Sequence, residues 1–297
     1  MKDDWRVDLL NQQLSQATTT KKAKGVKAPA SEGISYLATL RQMIRLIRKD
    51  INEIIVPAIK QIEPQYTADA GWVDVLKNAI NTVLFKWSSS QFQAVAEQIA
   101  AQFVQTSNSR TRKAFNGDMK RIGLDIYGDS PDLQNYIDAA IYDNTQLIKS
   151  IPSQYLDRVQ SIVTTNTRAG LRPRAIESLL VEQFGVTERR AKLIARDQTS
   201  KLAGDLAEKR QIEAGFPYFE WNDSDDQRVR DRHEEIANRV TAYGRGIYRW
   251  DNLPLSNEGK PIKPGSDYQC RCFARPVSQR EVDENVKAGR TNPAVKR

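Results

Sequence analysis

The sequence predicts a mainly α protein: an N-terminal helical region followed by a C-terminal module of short strands and one short helix, a small α+β module. Three observations predict it. Apolar residues recur at spacings of three and four from Ser35 to about Leu206, as in helices with one buried stripe. After Gly215 the texture changes, and the β-formers Phe216, Tyr218, Phe219 and Trp221 crowd into one short run. Hydrophobic residues make up 39% and charged residues 28% of 297 residues, the proportions of a globular chain long enough to bury a core.

The elements follow in order. Residues 11–32 are rich in Gln, Thr, Lys, Ala and Gly, include Thr18-Thr19-Thr20-Lys21-Lys22, and read with the first residues as a flexible basic arm, 1–32. Leu37, Leu40, Ile44, Ile47, Ile51, Ile54 and Ala58 then form a heptad-like seam. Such a seam either pairs with another subunit, giving a homo-oligomer, or packs inside a local bundle; the local bundle is the expectation. Pro57 should kink or end this helix.

A second helix carries Trp72, Leu76, Ile80, Val83 and Trp87 on one face, and a third carries Phe92, Val95, Ile99 and Phe103. Ser107-Asn108-Ser109 should weaken helical order, and Asn116-Gly117 marks a turn. Asp129-Ser130-Pro131 starts a helix with Leu133, Ile137, Ala140, Ile141 and Ile148, which Ile151-Pro152 should end. Residues 153–169 form the next helix, with Gly170 as its C-cap. Residues 173–184 stop at Gly185, and a long helix capped by Thr187 runs to Gly215. The expected organisation is 1–32 arm, 33–150 helical domain, 151–215 further helices, 216–280 α+β module and 281–297 tail.

Charge and cysteine content narrow the function classes. Lys and Arg number 45 against 37 Asp and Glu, a formal net charge of +8. That excess fits work beside a polyanion such as DNA, and equally ordinary solubility. Lys21 and Lys22 in the arm, and the run Arg110, Arg112, Lys113, Lys120 and Arg121, are the candidate phosphate contacts, with a solvated helix face as the alternative. Cys270 and Cys272 form a C-x-C pair, too close for an unstrained disulfide, so a reducing compartment is expected. No run of about 20 apolar residues is present, and Met1–Trp5 has no apolar signal core. Synthesis in the cytoplasm, with no membrane partner and no export route, is the expectation.

One constellation stands apart. Ser224-Asp225-Asp226-Gln227 reads as a capping box for a helix placing Val229, His233 and Ile236 on one stripe, with Arg228 and Arg232 on a neighbouring one. Downstream, Pro264-Gly265 turns the chain into Ser266-Asp267-Tyr268-Gln269-Cys270-Arg271-Cys272. Cys270 and Cys272 should share one face of the following strand, with Arg271 on the other. His233 is the single histidine of the chain.

The ordered set Ala195-Arg196-Asp197-Gln198-Thr199, Trp221, Asp226-x-Arg228-Val229-Arg230-x-x-His233 and Cys270-Arg271-Cys272 resembles the phage Mu F-like head morphogenesis family over roughly residues 150–278. The family usually has a glycine shortly after the histidine, near Asn238 of this chain; asparagine also tolerates left-handed geometry. The resemblance implies a minor head protein of a tailed phage, in the virion's capsid interior near the portal after assembly in the host cytoplasm. It further implies the portal protein, the major capsid or scaffolding protein and packaged DNA as partners.

Two readings of the chemistry stay open. His233, Cys270 and Cys272 suit a structural zinc, with Asp225, Asp226 or Asp231 as a fourth ligand; otherwise they are buried core side chains. Arg196 and Asp197 read as a structural brace, and Trp221 as core. Enzymatic roles are disfavoured. His233-Glu234-Glu235-Ile236-Ala237 lacks the second histidine of H-E-x-x-H, C-x-C departs from the deaminase P-C-x-x-C, and no phosphate loop is present. A single-histidine, metal-dependent nuclease using Asp226, Arg228 and His233, and a non-specific DNA-binding protein, are the alternatives.

Overall fold

The computed structural model describes residues 5–16, 21–62, 71–125, 131–224 and 229–296. Among them are helices α1 (Trp5–Gln16), α2 (Ala30–Asp50), α3 (Val56–Ile62), α4 (Gly71–Ser88), α5 (Ser90–Arg121), α6 (Pro131–Arg168) and α7 (Pro173–Glu213). The module beyond them contains β1 (Tyr218–Asn222), α8 (Asp231–Asn238), β2 (Val240–Thr241), β3 (Gly244–Arg245), β4 (Ile247–Arg249), β5 (Phe273–Val277) and α9 (Gln279–Lys287). The mainly α reading with a small strand-containing module therefore holds. The chain divides into two compact units, one of Gly33–Phe103 and Ala139–Arg196, the other of Met1–Glu32, Val104–Asp138 and Asp197–Arg297.

In the first unit the α2 seam is intramolecular core. Leu40, Ile44 and Ile47 are fully buried within the single chain. Pro57 neither ends nor simply kinks the helix. A π-helical turn, Ile51–Ile55, precedes it, with the Val56 N–H donating to Ile51 O, and helix resumes as α3. The wide turn adds a residue to the repeat. Burial therefore passes to Ile55, Ile59 and Ile62, leaving the expected Ile54 half-buried. Helix α4 packs on this segment through Leu76, Ile80 and Val83. Asp50 closes the corner, accepting from Lys86 Nζ (2.8 Å) and Trp87 Nε1 (2.7 Å). Tyr36 stacks on Phe103 at 4.1 Å and donates to Asn144 Oδ1.

Several expected helix ends do not occur. Helix α5 runs through Ser107–Ser109 and Asn116-Gly117. Its polar stretch faces α7 in the second unit, where Arg210 donates to Thr111 Oγ1 (2.8 Å) and to the Asn108 carbonyl. Its buried face also differs: Ala96 and Ala100 are buried, whereas Val95 is exposed. Helix α6 continues through Pro152, which lies among buried Ile148, Ile151, Tyr155 and Leu156. Helix α7 continues through Gly185, so Thr187 is no cap; its hydroxyl donates back to Gln183 O. An interior glycine costs only about 1 kcal/mol and a proline about 3 kcal/mol. Burial of the four side chains around Pro152 exceeds that, at roughly 1.5–3 kcal/mol for each large apolar one.

The second unit gathers segments that read as tails. Leu10 and Ala23 join Phe115, Met119, Ile122, Leu124 and Phe216 in one apolar cluster. The Asp118 carboxylate accepts the backbone N–H groups of Lys24 and Gly25 at 2.8–2.9 Å. Gly25, at φ 80°, lies so close to Ala274 O that a Cβ would sit 2.7 Å from it. The described part of 1–32 is thus folded onto the module rather than a free arm; Thr18, Thr19 and Thr20 lie outside the described residues. The segment read as a tail is also folded. Val282 of α9 is buried, and the Val295 carbonyl accepts from the Ala242 N–H.

The sheet has β1 at its centre, antiparallel to β4 on one side and β5 on the other. Strand alternation sends Phe219 and Trp221 to one face and Tyr218 to the other. The first face packs with Ile236, Tyr248, Trp250, Ile262, Cys270, Cys272 and Ala274, the second with Ile247, Val277 and Val282. Trp250 stacks on Phe219 at 4.0 Å.

Candidate metal centre

Helix α8 supplies the histidine. It starts at Asp231 behind an extended Arg230 (φ −75°, ψ 142°), not at Ser224, and Val229 is outside it. The expected capping box is therefore not the cap of this helix; Asp225, Asp226, Gln227 and Arg228 lie outside the described residues. His233 and Ile236, three apart, bury their side chains against the sheet, with His233 3% and Ile236 0% exposed. The Tyr248 hydroxyl donates to Ile236 O at 2.8 Å and ties the helix down.

The cysteines come from the turn before β5, not from a shared strand face. Gln269 has φ 52°, the left-handed region, and Cys270 N–H donates to Asp267 O. Cys272 N–H then donates to Cys270 Sγ at 3.4 Å. The fold of the turn, rather than strand alternation, brings the two sulfurs to one side. Asn238 is not left-handed; among the described residues Gln269 is the non-glycine with positive φ.

Three anchors fix this turn to α7. Asp197 Oδ1 accepts the Gln269 N–H at 2.9 Å and Oδ2 pairs with Lys201 at 2.8 Å. Gly265, at φ 89°, sits against the backbone of Ser200 and Gly204. Lys263 pairs with Asp205 (2.6 Å) and Glu208. Asp197 thus holds the residue immediately before Cys270. Its neighbour Arg196 is half-buried.

His233 Nδ1 lies 3.6 Å from Cys270 Sγ and 3.6 Å from Cys272 Sγ. Nε2 lies 3.2 Å from Asp267 Oδ2. Arg230 donates to the same Asp267 oxygen at 3.0 Å and to Tyr268 O at 2.5 Å. Trp221, 1% exposed, meets the imidazole edge-on at 5.3 Å. The ligand atoms of His233, Cys270 and Cys272 lie within 4.8 Å of one another, and all three side chains are buried. The hydrogen bond from Cys272 pulls the Cys270 thiol below its ordinary value against burial, with His233 assisting. The same bond, reinforced by burial, pushes Cys272 up.

The other sequence candidates stand apart from this cluster. Asp231 is exposed on the first turn of α8, outside the triad. Lys22 pairs with Glu281 (2.7 Å), Arg110 with Glu32, and Arg121 with Asp118 (2.9 Å). Lys21, Arg112 and Lys113 are exposed. Sequence reasoning assigned no role to Asp267. Its signal was its place three residues before Cys270, where a carboxylate can reach the second nitrogen of a nearby imidazole.

Comparison with known proteins adds to this geometry. Residues 157–275 match the family described as Phage Mu protein F like protein. An uncharacterized protein of Haemophilus influenzae (strain ATCC 51907 / DSM 11121 / KW20 / Rd) is 30% identical over 287 residues, 95% of this chain and 60% of that protein. The chain therefore spans three fifths of that relative's length. No solved structure matches the chain.

Proposed function

From the similarity of residues 157–275 to Phage Mu protein F like protein, we propose that this chain is a minor head protein of a tailed bacteriophage. In this reading it binds at the portal on the inner capsid surface and aids head assembly and DNA packaging or delivery. Its partners are the portal protein, the major capsid or scaffolding protein and the packaged DNA. The observation that carries the reading is that the matched span contains the whole constellation from Asp197 through Trp221 and His233 to Cys272.

The geometry favours a scaffold over a catalyst. A general base needs a free lone pair within reach of substrate. His233 is 3% exposed, with one ring nitrogen on Asp267 and the other on two sulfurs. That argues against the nuclease alternative. The net charge of +8 supports proximity to DNA, although Lys22, Arg110 and Arg121 already hold carboxylate partners.

The test is co-expression of the full chain with the portal and capsid proteins of the same phage, followed by sedimentation of the heads. The chain is expected in the head fraction and to bind isolated portal rings. Its absence from both overturns the reading. Plasmid nicking that disappears with chelator and in His233→Ala would instead establish the enzyme alternative.

A further inference from the structure

The His233 ring has its two nitrogens in opposite surroundings. An ionised carboxylate only accepts hydrogen bonds, so Asp267 Oδ2, at 3.2 Å, selects the tautomer with hydrogen on Nε2. The lone pair then resides on Nδ1, the nitrogen 3.6 Å from both Cys270 Sγ and Cys272 Sγ. Around a tetrahedral zinc, with Zn–S about 2.3 Å and Zn–N about 2.0 Å, a nitrogen and a sulfur stand about 3.5 Å apart. The triad has that nitrogen–sulfur spacing on both cysteines.

A second, independent observation comes from Trp221. Its buried indole Nε1 has no hydrogen-bond partner among the described residues, which is costly for a donor. Trp221 and Cys272 belong to one buried cluster, and a thiolate there would give this donor an acceptor. The carboxylate behind the imidazole is also ordered, because Arg230 holds Asp267 at 3.0 Å. A carboxylate on the far nitrogen of a histidine is the arrangement that orients metal-ligating imidazoles.

We propose that His233 Nδ1, Cys270 Sγ and Cys272 Sγ are three ligands of one zinc ion, with Asp267 as the outer carboxylate that sets the tautomer. On binding, the thiol protons leave to solvent and both sulfurs coordinate as thiolates. No electron transfer is involved. The ion joins α8 to the turn before β5 across more than thirty residues of chain, stapling a module with a small core. Metal content is read on the purified chain alone, so failure here leaves the head assignment standing, and the reverse also holds.

The test uses the full chain, purified without chelator or metal-affinity resin. Elemental analysis is expected to give one zinc per chain, and X-ray absorption to give two sulfurs at about 2.3 Å with two nitrogen or oxygen neighbours at about 2.0 Å. Cobalt added to the stripped protein should produce thiolate charge-transfer bands. Cys272→Ser should abolish stoichiometric zinc, His233→Cys should retain it with a third sulfur, and Asp267→Asn should weaken affinity about 10–100-fold. Wild-type chain with two reduced thiols, no zinc and no cobalt charge-transfer band overturns the proposal, whatever the variants do. Undiminished zinc in a Cys270→Ser, Cys272→Ser double variant also overturns it.

Discussion

The Asp197 carboxylate accepts the backbone N–H of Gln269 at 2.9 Å, so a side chain on α7 fixes the turn that presents Cys270. Asp197 is 8% exposed. Replacing it by alanine strands a half-buried N–H and should cost about 1–2 kcal/mol. Urea unfolding of Asp197→Ala against wild type measures this. A change within about 0.5 kcal/mol would show that the contact does not brace the turn.

Gln269 itself is strained, with φ 52°. Left-handed backbone costs an ordinary residue roughly 1–2 kcal/mol. Gln269→Gly should therefore be neutral or stabilising, whereas Gln269→Val should lower stability by more than about 1 kcal/mol. Thermal melts of the two variants distinguish these signs.

Gly265 is held at φ 89°, with an added Cβ 2.6 Å from Ser200 O. Both strain and collision fall on backbone that cannot yield cheaply. Gly265→Ala should destabilise by about 1–3 kcal/mol. Gly170, also left-handed but with open space around it, should lose less on the same change. Parallel denaturation curves check the order.

The π turn makes neighbouring isoleucines unequal. Ile55 is 0% exposed, whereas Ile54 is half-buried. Ile55→Ala should cost about 2–5 kcal/mol, and Ile54→Ala clearly less. Equal losses would place the helix in its uninterrupted register.

Arg275 lies between two carboxylates, Glu220 and Glu281, and donates to Glu281 at 2.7 and 3.0 Å. Burial pushes the Glu281 carboxyl up, but the hydrogen bonds and charges of Arg275 and Lys22 outweigh it and hold it below its ordinary value. A depressed carboxyl stabilises the fold above its unfolded pKa of about 4.3, and that stability fades as pH falls through the lower folded value. Wild type should therefore lose stability below about pH 4. Glu281→Gln should flatten that acid limb, and Arg275→Met should cost about 1–3 kcal/mol near neutrality, because Glu220 loses this partner and Glu281 keeps only Lys22. Chemical denaturation across pH 3–7 reads both effects.

Much of the site was legible before any fold was known. His233, Cys270, Cys272, Trp221 and Asp197 were singled out from residue type and order. Asp267 was not, because a carboxylate in a loop has no local mark distinguishing it from a solvated one. Helix faces were read well where the repeat stayed at 3.6 residues, as in α4. They slipped after Ile51, where the π turn shifted the phase. Pro152 and Gly185 read as helix ends, and Ser107–Ser109 as a weak point, because their intrinsic penalties are visible in sequence, whereas the burial that outweighs them is not.

The sequence alone determined the mainly α character, the change of texture after Gly215 and the identity of the sulfur and imidazole donors. These depend on local periodicity and on residue chemistry, both written along the chain. The tertiary structure alone decided where helices stop, that residues 21–29 pack on Asp118 and that Asp267 faces His233. These depend on pairings between segments tens of residues apart, whose burial energy exceeds any single residue's preference.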